Sequence, residues 1–304
     1  MLYSICCNVI CPKHVKKRGG VMTLFGCCLP FGSFVPQIEN NEKQVPEKSN
    51  GIINGLAMLK TIGFDFGELT AGAIADLSCV DMKSLSELLD KGSYCVPVFN
   101  SFIPPKLPLT GLYVNKDAVI QYVDMLMSRI HRLKGKLIIF GSGGARRIPE
   151  GFPRSKGMDQ LNDFFVLCNE CAGRYQLTVA IEPLNKKECN VINTVKEGLD
   201  IVKSLHLPNI KLLADTYHMN EENEPFDILK QAAEHLVHIH LSDQRRLFPG
   251  SDRKGGVDFI RLSKILKDSS YKGRLSFECN DHIENKSGQA LKYIKGIWEE
   301  CMAS

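Results

Sequence analysis

The sequence predicts a single α/β domain with a closed (β/α)8 barrel, the TIM-barrel fold. From Val21 onward, short apolar runs alternate with segments of helical periodicity. Alternating units of this kind favour a parallel sheet covered by helices. Eight such units fit within 304 residues, and a closed barrel of roughly 250 residues accommodates both the count and the length.

The elements follow one another without an interruption that would indicate a second domain. Strands are predicted at 21–29, 64–70, 94–100, 136–144, 177–181, 211–215, 237–240 and 274–278. Helices are predicted at 51–61, 77–92, 116–133, 158–175, 194–206, 225–236, 258–268 and 287–301. An open doubly wound sheet is the alternative, but no G-x-G-x-x-G follows the first strand. The glycines of GSGG after the fourth strand suit a backbone turn or a phosphate cradle equally well.

The fifth strand shows the pattern that a barrel strand needs. In LTVAIEPLNKKE (177–188), Thr178, Ala180 and Glu182 share one face, and Val179 and Ile181 share the other. The apolar face suits packing against helices, and the face that ends in a carboxylate suits the barrel interior. Because active sites of such barrels lie at the C-terminal ends of the strands, chemistry is expected at Glu182.

Composition limits the function classes. The chain is 44% hydrophobic and 24% charged, as soluble globular proteins are. A net charge of +4 is no nucleic-acid signature, and no apolar run reaches the roughly 18 residues of a membrane helix. We therefore expect neither nucleic acid nor membrane as a partner.

Residues 1–21 are predicted to be a poorly ordered N-terminal extension, and 22–304 the barrel. The basic cluster in the extension follows its apolar stretch, which reverses the order found in a secretory signal. The twelve cysteines are read as reduced thiols of a cytoplasmic protein. Two alternatives are weak metal candidates: Cys168 with Cys171, and Cys6, Cys7 and Cys11 with His14.

Four consecutive predicted strands, five to eight, each end in a side chain that can bind a metal ion. These are Glu182, Asp215, His240 and Glu278. Because neighbouring strands of a barrel end at the same rim, the four side chains should converge. Three carboxylates and one imidazole suit one divalent ion, with Mn²⁺ favoured and Co²⁺ or Mg²⁺ as alternatives.

Each of these residues also has a plainer interpretation. A barrel-tip aspartate is often a helix cap, and a strand histidine is more often a core residue than a ligand. His238 is interpreted as such a core residue, one layer below His240. Nearby, His218, Glu188 and Arg246 could orient substrate oxygens, although Arg245 and Arg246 could equally be solvated loop charges.

The segments EPLNKKE, ADTYH, HIHLSDQRR and FEC resemble the sugar isomerase/epimerase superfamily of xylose-isomerase-like barrels. They are most similar to its D-tagatose/D-psicose 3-epimerase type. The resemblance covers most of the chain from Val21, includes GFDFGEL and GSGGARRIPEGF, and is strongest over 177–280.

This resemblance implies roles for particular residues. Glu182, Asp215, His240 and Glu278 would bind the metal, and Glu182 and Glu278 would also act as the two catalytic acid/bases. The implied substrate contacts are Glu188, His218 and Arg246, with Glu68 at the tip of strand two. The implied reaction is proton transfer next to a carbonyl of a carbohydrate through an enediolate. Two bases on opposite faces give epimerisation, and one shuttling base gives aldose–ketose isomerisation. Barrels of this type are often dimers or tetramers.

Three other functions stay open on the sequence. Lyases of the same superfamily share the enolisation step; they include inosose and dehydroshikimate dehydratases and C-glycoside-cleaving enzymes. The Pro-rich loop 101–111 differs from that of the ketose epimerases, so a lyase stays an alternative. Apurinic endonucleases resemble this chain at the four metal positions and at His218. They need further histidines at the tips of strands three and four and an Asp-x-His after strand seven, and the corresponding segments here, VFNSF, FGSGG and PGSDRKGG, contain no histidine. A non-catalytic sugar-binding barrel would more easily have lost Glu188 or Arg246.

Overall fold

The structure is a computed structural model that describes residues 16, 17, 20, 21, 23–29, 48–252, 256–280 and 283–303. Eight parallel strands form a closed barrel in which β8 pairs with β1. The fold class predicted from the sequence is therefore confirmed. The strands are β1 (Phe25–Leu29), β2 (Phe66–Thr70), β3 (Val98–Asn100), β4 (Leu137–Phe140), β5 (Thr178–Ile181), β6 (Ile210–Asp215), β7 (Leu236–Leu241) and β8 (Arg274–Phe277).

Helices surround this barrel and connect its strands. They are α1 (Lys48–Ile62), α2 (Ala71–Ala75), α3 (Cys79–Gly92), α4 (Lys116–Arg132), α5 (Gly143–Arg146), α6 (Arg154–Tyr175), α7 (Val195–Leu205), α8 (Thr216–Glu221), α9 (Ile228–Ala232), α10 (Phe259–Asp268) and α11 (Ile283–Ala303). No helix of the described ranges is long and apolar enough to cross a membrane.

The helix predictions differ from the structure in two respects. The short helices α2 and α8 follow directly on strands, and α5 is separated from β4 by two residues. All three are too short to show a periodic apolar face. The helix predicted over 225–236 is only the five-residue α9, because residues 233–235 already turn into β7.

Two layers of apolar side chains flank the sheet, as the strand alternation predicts. Val179 and Ile181 face outward and join the large cluster between strands and helices. Ala180 faces inward and belongs to a smaller cluster inside the barrel. That inner cluster consists of Leu24, Phe66, Val98, Leu137, Ile139, Ala180 and Leu213. The barrel interior is thus filled by side chains, which include the buried polar side chains of Glu68, His238 and Ser276.

The predicted extension 1–21 lies mostly outside the described residues, as do the candidate ligands Cys6, Cys7, Cys11 and His14. In its described part, Lys16–Lys17 pairs with Gly20–Val21 in an antiparallel ladder. Eight described cysteines are free thiols, whereas Cys95 is disulfide-bonded, so the expectation of reduced thiols is wrong for Cys95. Cys168 and Cys171 belong to neither metal-ligating group found among the described residues.

Arg146 and Arg147, adjacent in sequence, have different environments. Arg146 is fully buried and donates to the carbonyl oxygens of Phe140 (3.0 Å) and Ile192 (3.2 Å). It therefore joins the end of β4 to the loop before α7 and is not a solvated charge. Arg147 is exposed and donates to the carbonyl of Glu188.

We expect Arg146→Met to lower the free energy of unfolding by about 3 kcal/mol, because two hydrogen bonds from a charged donor to buried carbonyls are lost. Each carbonyl keeps one backbone N–H donor, Glu182 N for Phe140 and Leu184 N for Ile192. Arg147→Met is the matched control and should change it by less than about 0.5 kcal/mol, as surface substitutions usually do. Urea denaturation followed by circular dichroism measures both. Equal midpoints for the two variants would contradict a structural role for Arg146.

Candidate metal centre and active site

The four predicted metal ligands lie together at the C-terminal end of the barrel. Glu182 directly follows β5, Asp215 is the last residue of β6, His240 lies near the end of β7, and Glu278 directly follows β8. One ligand atom of each lies within 4.8 Å of those of the other three. All are buried except Glu278, whose side chain is 27% exposed. The cluster is therefore open on the side of Glu278.

The imidazole of His240 lies between this cluster and the barrel interior. Its Nδ1 is 3.2 Å from Glu182 Oε1 and 3.4 Å from Glu278 Oε2. Its Nε2 is 3.0 Å from Glu68 Oε1. A carboxylate on the far nitrogen fixes the orientation of a ligating histidine and raises its basicity. His240 thus presents Nδ1 to the cluster and Nε2 to Glu68.

Glu68 lies below the cluster and not at the rim where we expected a substrate contact. It is fully buried within β2. Its Oε2 accepts a hydrogen bond from Ser276 Oγ at 2.7 Å and is 3.2 Å from His238 Nε2. Both carboxylate oxygens are therefore engaged by the protein. We interpret Glu68 as a support for His240, and its expected role as a substrate contact stays a prediction.

His238 occupies the layer below His240, as its interpretation as a core residue requires. It is fully buried, and its Nε2 lies 2.8 Å from Ser276 Oγ. Burial lowers the pKa of His238, although Glu68 opposes this effect. The ring is therefore a neutral part of the network that holds Glu68.

The charges of the cluster are not balanced. Burial, together with the carboxylates of Glu278 and Glu182, raises the pKa of Asp215 to about 8 against the opposing effect of Arg246. Burial alone would raise the pKa of Glu278, but His240 and Arg246 hold it well below its usual range. Burial would lower the pKa of His240, but Glu68 and Glu278 raise it well above its usual range. The carboxylates of Glu182, Asp215 and Glu278 thus share the positive charges of His240 and Arg246. The negative charge of Asp215 is the one that these cations stabilise least.

Asp215 also carries a buried oxygen without a hydrogen bond. Its Oδ1 accepts the backbone N–H of Tyr217 at 2.7 Å. Its Oδ2 has no hydrogen-bond partner, and Arg246 Nη1 lies 3.4 Å away. A buried carboxylate oxygen in this state is costly unless a cation binds it. The donor set of three carboxylates and one imidazole therefore fits a divalent ion that prefers oxygen and nitrogen ligands.

A second group of possible ligands consists of Cys28, Glu68 and His240. Burial raises the pKa of the Cys28 thiol well above its usual value, and Glu68 adds to the rise. Since the thiolate is the metal-binding form, a protonated Cys28 makes this group the weaker candidate.

Arg246 forms the next layer above the cluster. Its Nη1 donates to Glu278 Oε2, its Nη2 lies 2.8 Å from His218 Nε2, and its guanidinium stacks 4.5 Å from the centre of the Tyr217 ring. The interpretation as a solvated charge is therefore wrong for Arg246. It fits Arg245, which is exposed and pairs with Asp252.

His218 presents a proton on the same side. The backbone N–H of Asn185 lies 3.1 Å from its Nδ1, and a backbone N–H can only donate, so Nδ1 is the acceptor. Burial and the nearby Arg246 lower the pKa of His218 to about 4, and we assign the neutral ring with its proton on Nε2. Nε2–H and Arg246 Nη2 are then both donors and cannot satisfy each other. An oxygen acceptor from a ligand would satisfy both.

Asn185 links Glu188 to this group, which the sequence did not indicate. Its side-chain Nδ2 donates to Glu188 Oε1 at 3.1 Å and lies 2.9 Å from His218 Nδ1. Its Oδ1 accepts the N–H groups of Lys187 and Glu188. The asparagine of EPLN was the sequence signal for this loop structure, because an asparagine side chain often accepts hydrogen bonds from the backbone N–H groups that follow it.

Gly141 leaves room for the carboxylate of Glu182. A Cβ atom at Gly141 would lie 2.4 Å from Glu182 Oε2. The first glycine of the GSGG segment thus lets the chain after β4 approach the carboxylate, so the segment does more than form a turn. The other oxygen, Oε1, faces His240.

The fold and the cluster define a class of protein, a (β/α)8 barrel with a divalent-metal donor set at the ends of adjacent strands. Residues 56–297 match the family model described as Xylose isomerase-like TIM barrel. The chain belongs to that family, and the resemblance noted in its sequence is confirmed.

Its relatives include sugar epimerases. The chain is 25% identical over 248 residues to the D-psicose 3-epimerase of Ruminiclostridium cellulolyticum, covering 78% of this chain and 80% of that enzyme. It is 31% identical over 126 residues to the D-psicose 3-epimerase of Enterocloster bolteae, covering 41% of this chain. This second match spans only 40% of the relative's length.

Solved structures show the same fold. A D-psicose 3-epimerase with D-tagatose from Clostridium cellulolyticum H10 matches with a TM-score of 0.75 at 18% identity. The match covers 90% of this chain and 99% of that one. At this identity the likeness establishes the barrel, and the function has to be argued from the site.

We expect Glu68→Gln to lower the affinity for Mn²⁺ by about 10-fold or more, as the loss of a carboxylate behind a ligating histidine usually does. Ser276→Ala is the matched control, because it removes a hydrogen bond to Glu68 without touching His240. Titration with Mn²⁺ followed by electron paramagnetic resonance measures both. Wild-type affinity in Glu68→Gln would show that Glu68 does not support the metal centre.

Proposed function

We propose that this protein is a divalent-metal-dependent sugar or polyol epimerase or isomerase that transfers a proton next to a carbonyl. The observation that carries the proposal is the pair Glu182 and Glu278. They reach the same atom, His240 Nδ1, from β5 and β8, at 3.2 and 3.4 Å. The names of the relatives, D-psicose 3-epimerases, support a ketose as the substrate class.

The metal would be held by Glu182, Asp215, His240 and Glu278. Mn²⁺ is the ion we favour, with Co²⁺ or Mg²⁺ as alternatives for the same donor set. When bound, such an ion polarises a carbonyl and the adjacent hydroxyl and so acidifies the C–H between them.

The two glutamates would move the proton. Glu182 directs Oε1 toward His240 and has Oε2 beside Gly141, so one oxygen lies apart from the metal donor set and can accept a proton. Glu278 would act from β8 on the other face of the sugar, with Arg246 donating to its Oε2. Two bases that act from opposite faces invert a carbon, so glutamates acting in this way would epimerise the sugar, whereas a single shuttling base would isomerise it.

The residues above the cluster would hold the substrate. His218 Nε2–H and the guanidinium of Arg246 are adjacent donors for a sugar oxygen. Glu188 is exposed and accepts a hydrogen bond from Asn185, and it would accept a hydrogen bond from a sugar hydroxyl. The substrate is thus a small carbohydrate, while a homo-oligomeric state and a cytoplasmic location stay predictions.

The chemistry expected of an apurinic endonuclease lacks support in the site. The histidines that such enzymes need at strands three and four are replaced by Asn100 at the end of β3 and by Gly141 after β4. This leaves the one-metal sugar reaction as the better interpretation.

Exchange with D₂O followed by NMR tests the proposal. The protein is incubated with Mn²⁺, or with Mn²⁺ and a chelator, and with D-psicose, D-fructose, D-tagatose, matching aldoses and keto-polyols. We expect Mn²⁺-dependent deuterium at a single carbon, at C3 for a 3-epimerase. Loss of a hydroxyl or an aglycone would replace the proposal by a lyase, and no exchange with any compound would overturn it.

We expect Glu182→Gln and Glu278→Gln each to lower turnover by about 10²–10⁴-fold, the usual contribution of a general acid or base. The amide keeps the shape of the side chain but cannot accept the proton. Glu150→Gln, at an exposed loop position, is the control. Near-wild-type turnover in either site variant, with the fold checked by circular dichroism, would remove that glutamate from its role.

We expect Gly141→Ala to lower kcat by about 10²-fold, because its Cβ would displace Glu182 Oε2, and misplacement of a reacting group by about 1 Å has such an effect. Gly296→Ala is the matched control, since a Cβ there has open space. Initial-rate kinetics of both variants check this. An unchanged kcat in Gly141→Ala would show that the position of Glu182 Oε2 does not matter for turnover.

A further inference from the structure

A buried carboxylate outside the proposed site organises the loop after β7. Asp243 is 1% exposed and accepts four backbone N–H groups. Oδ1 accepts from Gln244 (3.1 Å) and Val257 (3.0 Å), and Oδ2 accepts from Gly250 (3.2 Å) and Asp252 (3.1 Å). Hydrogen bonds to an ionised acceptor are among the stronger ones, so one side chain holds both ends of this loop.

The same loop carries Arg246 in an unusual backbone conformation. Arg245 and Arg246 have φ values of 57° and 56°, in the left-handed region that residues other than glycine rarely adopt. The backbone around them is held at two further points. Asp243 N donates to Leu247 O at 2.7 Å, and Asn280 N donates to Arg246 O at 2.8 Å. A conformation of this kind persists only where the surroundings fix it.

Gly256 shows how tightly the loop closes on this carboxylate. A Cβ atom at Gly256 would lie 2.6 Å from Asp243 Oδ1 and 2.7 Å from the carbonyl oxygen of Asp252. The close approach lets Val257 N–H reach Oδ1. The residues around Asp243 therefore pack closely enough for four backbone N–H groups to reach its carboxylate.

We propose that Asp243 is a positioning residue that fixes the guanidinium of Arg246 for a substrate oxygen by anchoring the β7–α10 loop. The contact between Arg246 and a substrate oxygen rests on the proposed function. The anchoring of the loop by Asp243 rests on the hydrogen bonds described above. Asp243 acts through the loop backbone and Arg246, whereas Asp215 and His240 are carried by strands of the barrel.

Asp243→Asn tests the anchoring without any sugar. The amide nitrogen would face two N–H donors and lose both bonds. We expect the amides of 244–252 to exchange hydrogen at least 10-fold faster. Arg246, whose side chain is 14% exposed, should react with phenylglyoxal several-fold faster, as mapped by peptide mass spectrometry. Asp252→Asn is the matched control in the same loop, because it breaks only the ion pair with Arg245.

The kinetic test is a double-mutant cycle with Mn²⁺-loaded protein and D-psicose. We expect Asp243→Asn to raise KM about 10-fold, and Asp243→Asn with Arg246→Ala to have the KM of Arg246→Ala alone. A residue with a merely structural role would give effects that multiply. Multiplying effects, or Arg246 reactivity equal to that of Asp252→Asn, would overturn the proposal.

The proposed function and the anchoring role of Asp243 can be contradicted by different measurements. If the wild-type protein exchanges no deuterium with any sugar, the proposed function fails, while the exchange and phenylglyoxal measurements still decide whether Asp243 anchors Arg246. If Asp243→Asn does not fold, Gly256→Ala replaces it, because its Cβ crowds Asp243 Oδ1 while the carboxylate remains. Unchanged Arg246 reactivity in a folded Gly256→Ala would then overturn the proposal.

Discussion

Three carboxylates lie side by side in this protein, two of them buried and the third partly exposed, and the rest of the site is arranged around their charge. Closure of the barrel forces Glu182, Asp215 and Glu278 toward one another at the ends of β5, β6 and β8. Burial strengthens their mutual repulsion, because fewer waters screen them. His240 and Arg246 supply the positive charge within the protein, and Asp215 Oδ2 is left without a donor. A divalent ion is the group that balances such a set.

The two halves of the barrel contribute differently to this centre. Strands β5 to β8 carry the candidate ligands themselves, whereas the first half supports them from behind or beside. Glu68 on β2 holds Nε2 of His240, and Gly141 after β4 leaves space for Glu182. If the proposed function holds, substitutions in the first half would tune metal affinity and the position of Glu182 while every proposed ligand remains. The loop after β7, fixed by Asp243, provides similar support for Arg246.

The sequence predicted the cluster because two simple rules apply to it. Side chains alternate along a strand, and neighbouring strands of a closed barrel end at the same rim. From these rules alone Glu182, Asp215, His240 and Glu278 had to converge. The depth of Glu68 could not be derived in the same way, because alternation shows that it faces inward but not how far strand stagger lowers it. In the structure it pairs in register with Cys28 and lies under His240.

Loop residues were harder to place for a related reason. Arg146 and Arg147 are identical in type and adjacent, and only the path of the backbone after β4 decides that the first is buried. Asp243 was not singled out because its partners are backbone N–H groups, which leave no trace in a sequence. For Asn185 the segment EPLN was the only signal, and its contacts with Glu188 and His218 depend on the loop path. The expected roles of His218 and Arg246 came from their residue types and from the family resemblance, and the structure adds that Arg246 Nη2 lies 2.8 Å from His218 Nε2.

The most direct test of the metal centre is a crystal structure of the Mn²⁺-soaked protein with anomalous diffraction at the manganese edge. The site described here predicts one strong peak bounded by Glu182, Asp215, Glu278 and Nδ1 of His240, with Nε2 still bonded to Glu68. A peak on the other side of the ring, between Cys28, Glu68 and Nε2, would contradict it, as would a soaked crystal with no peak within reach of the three carboxylates.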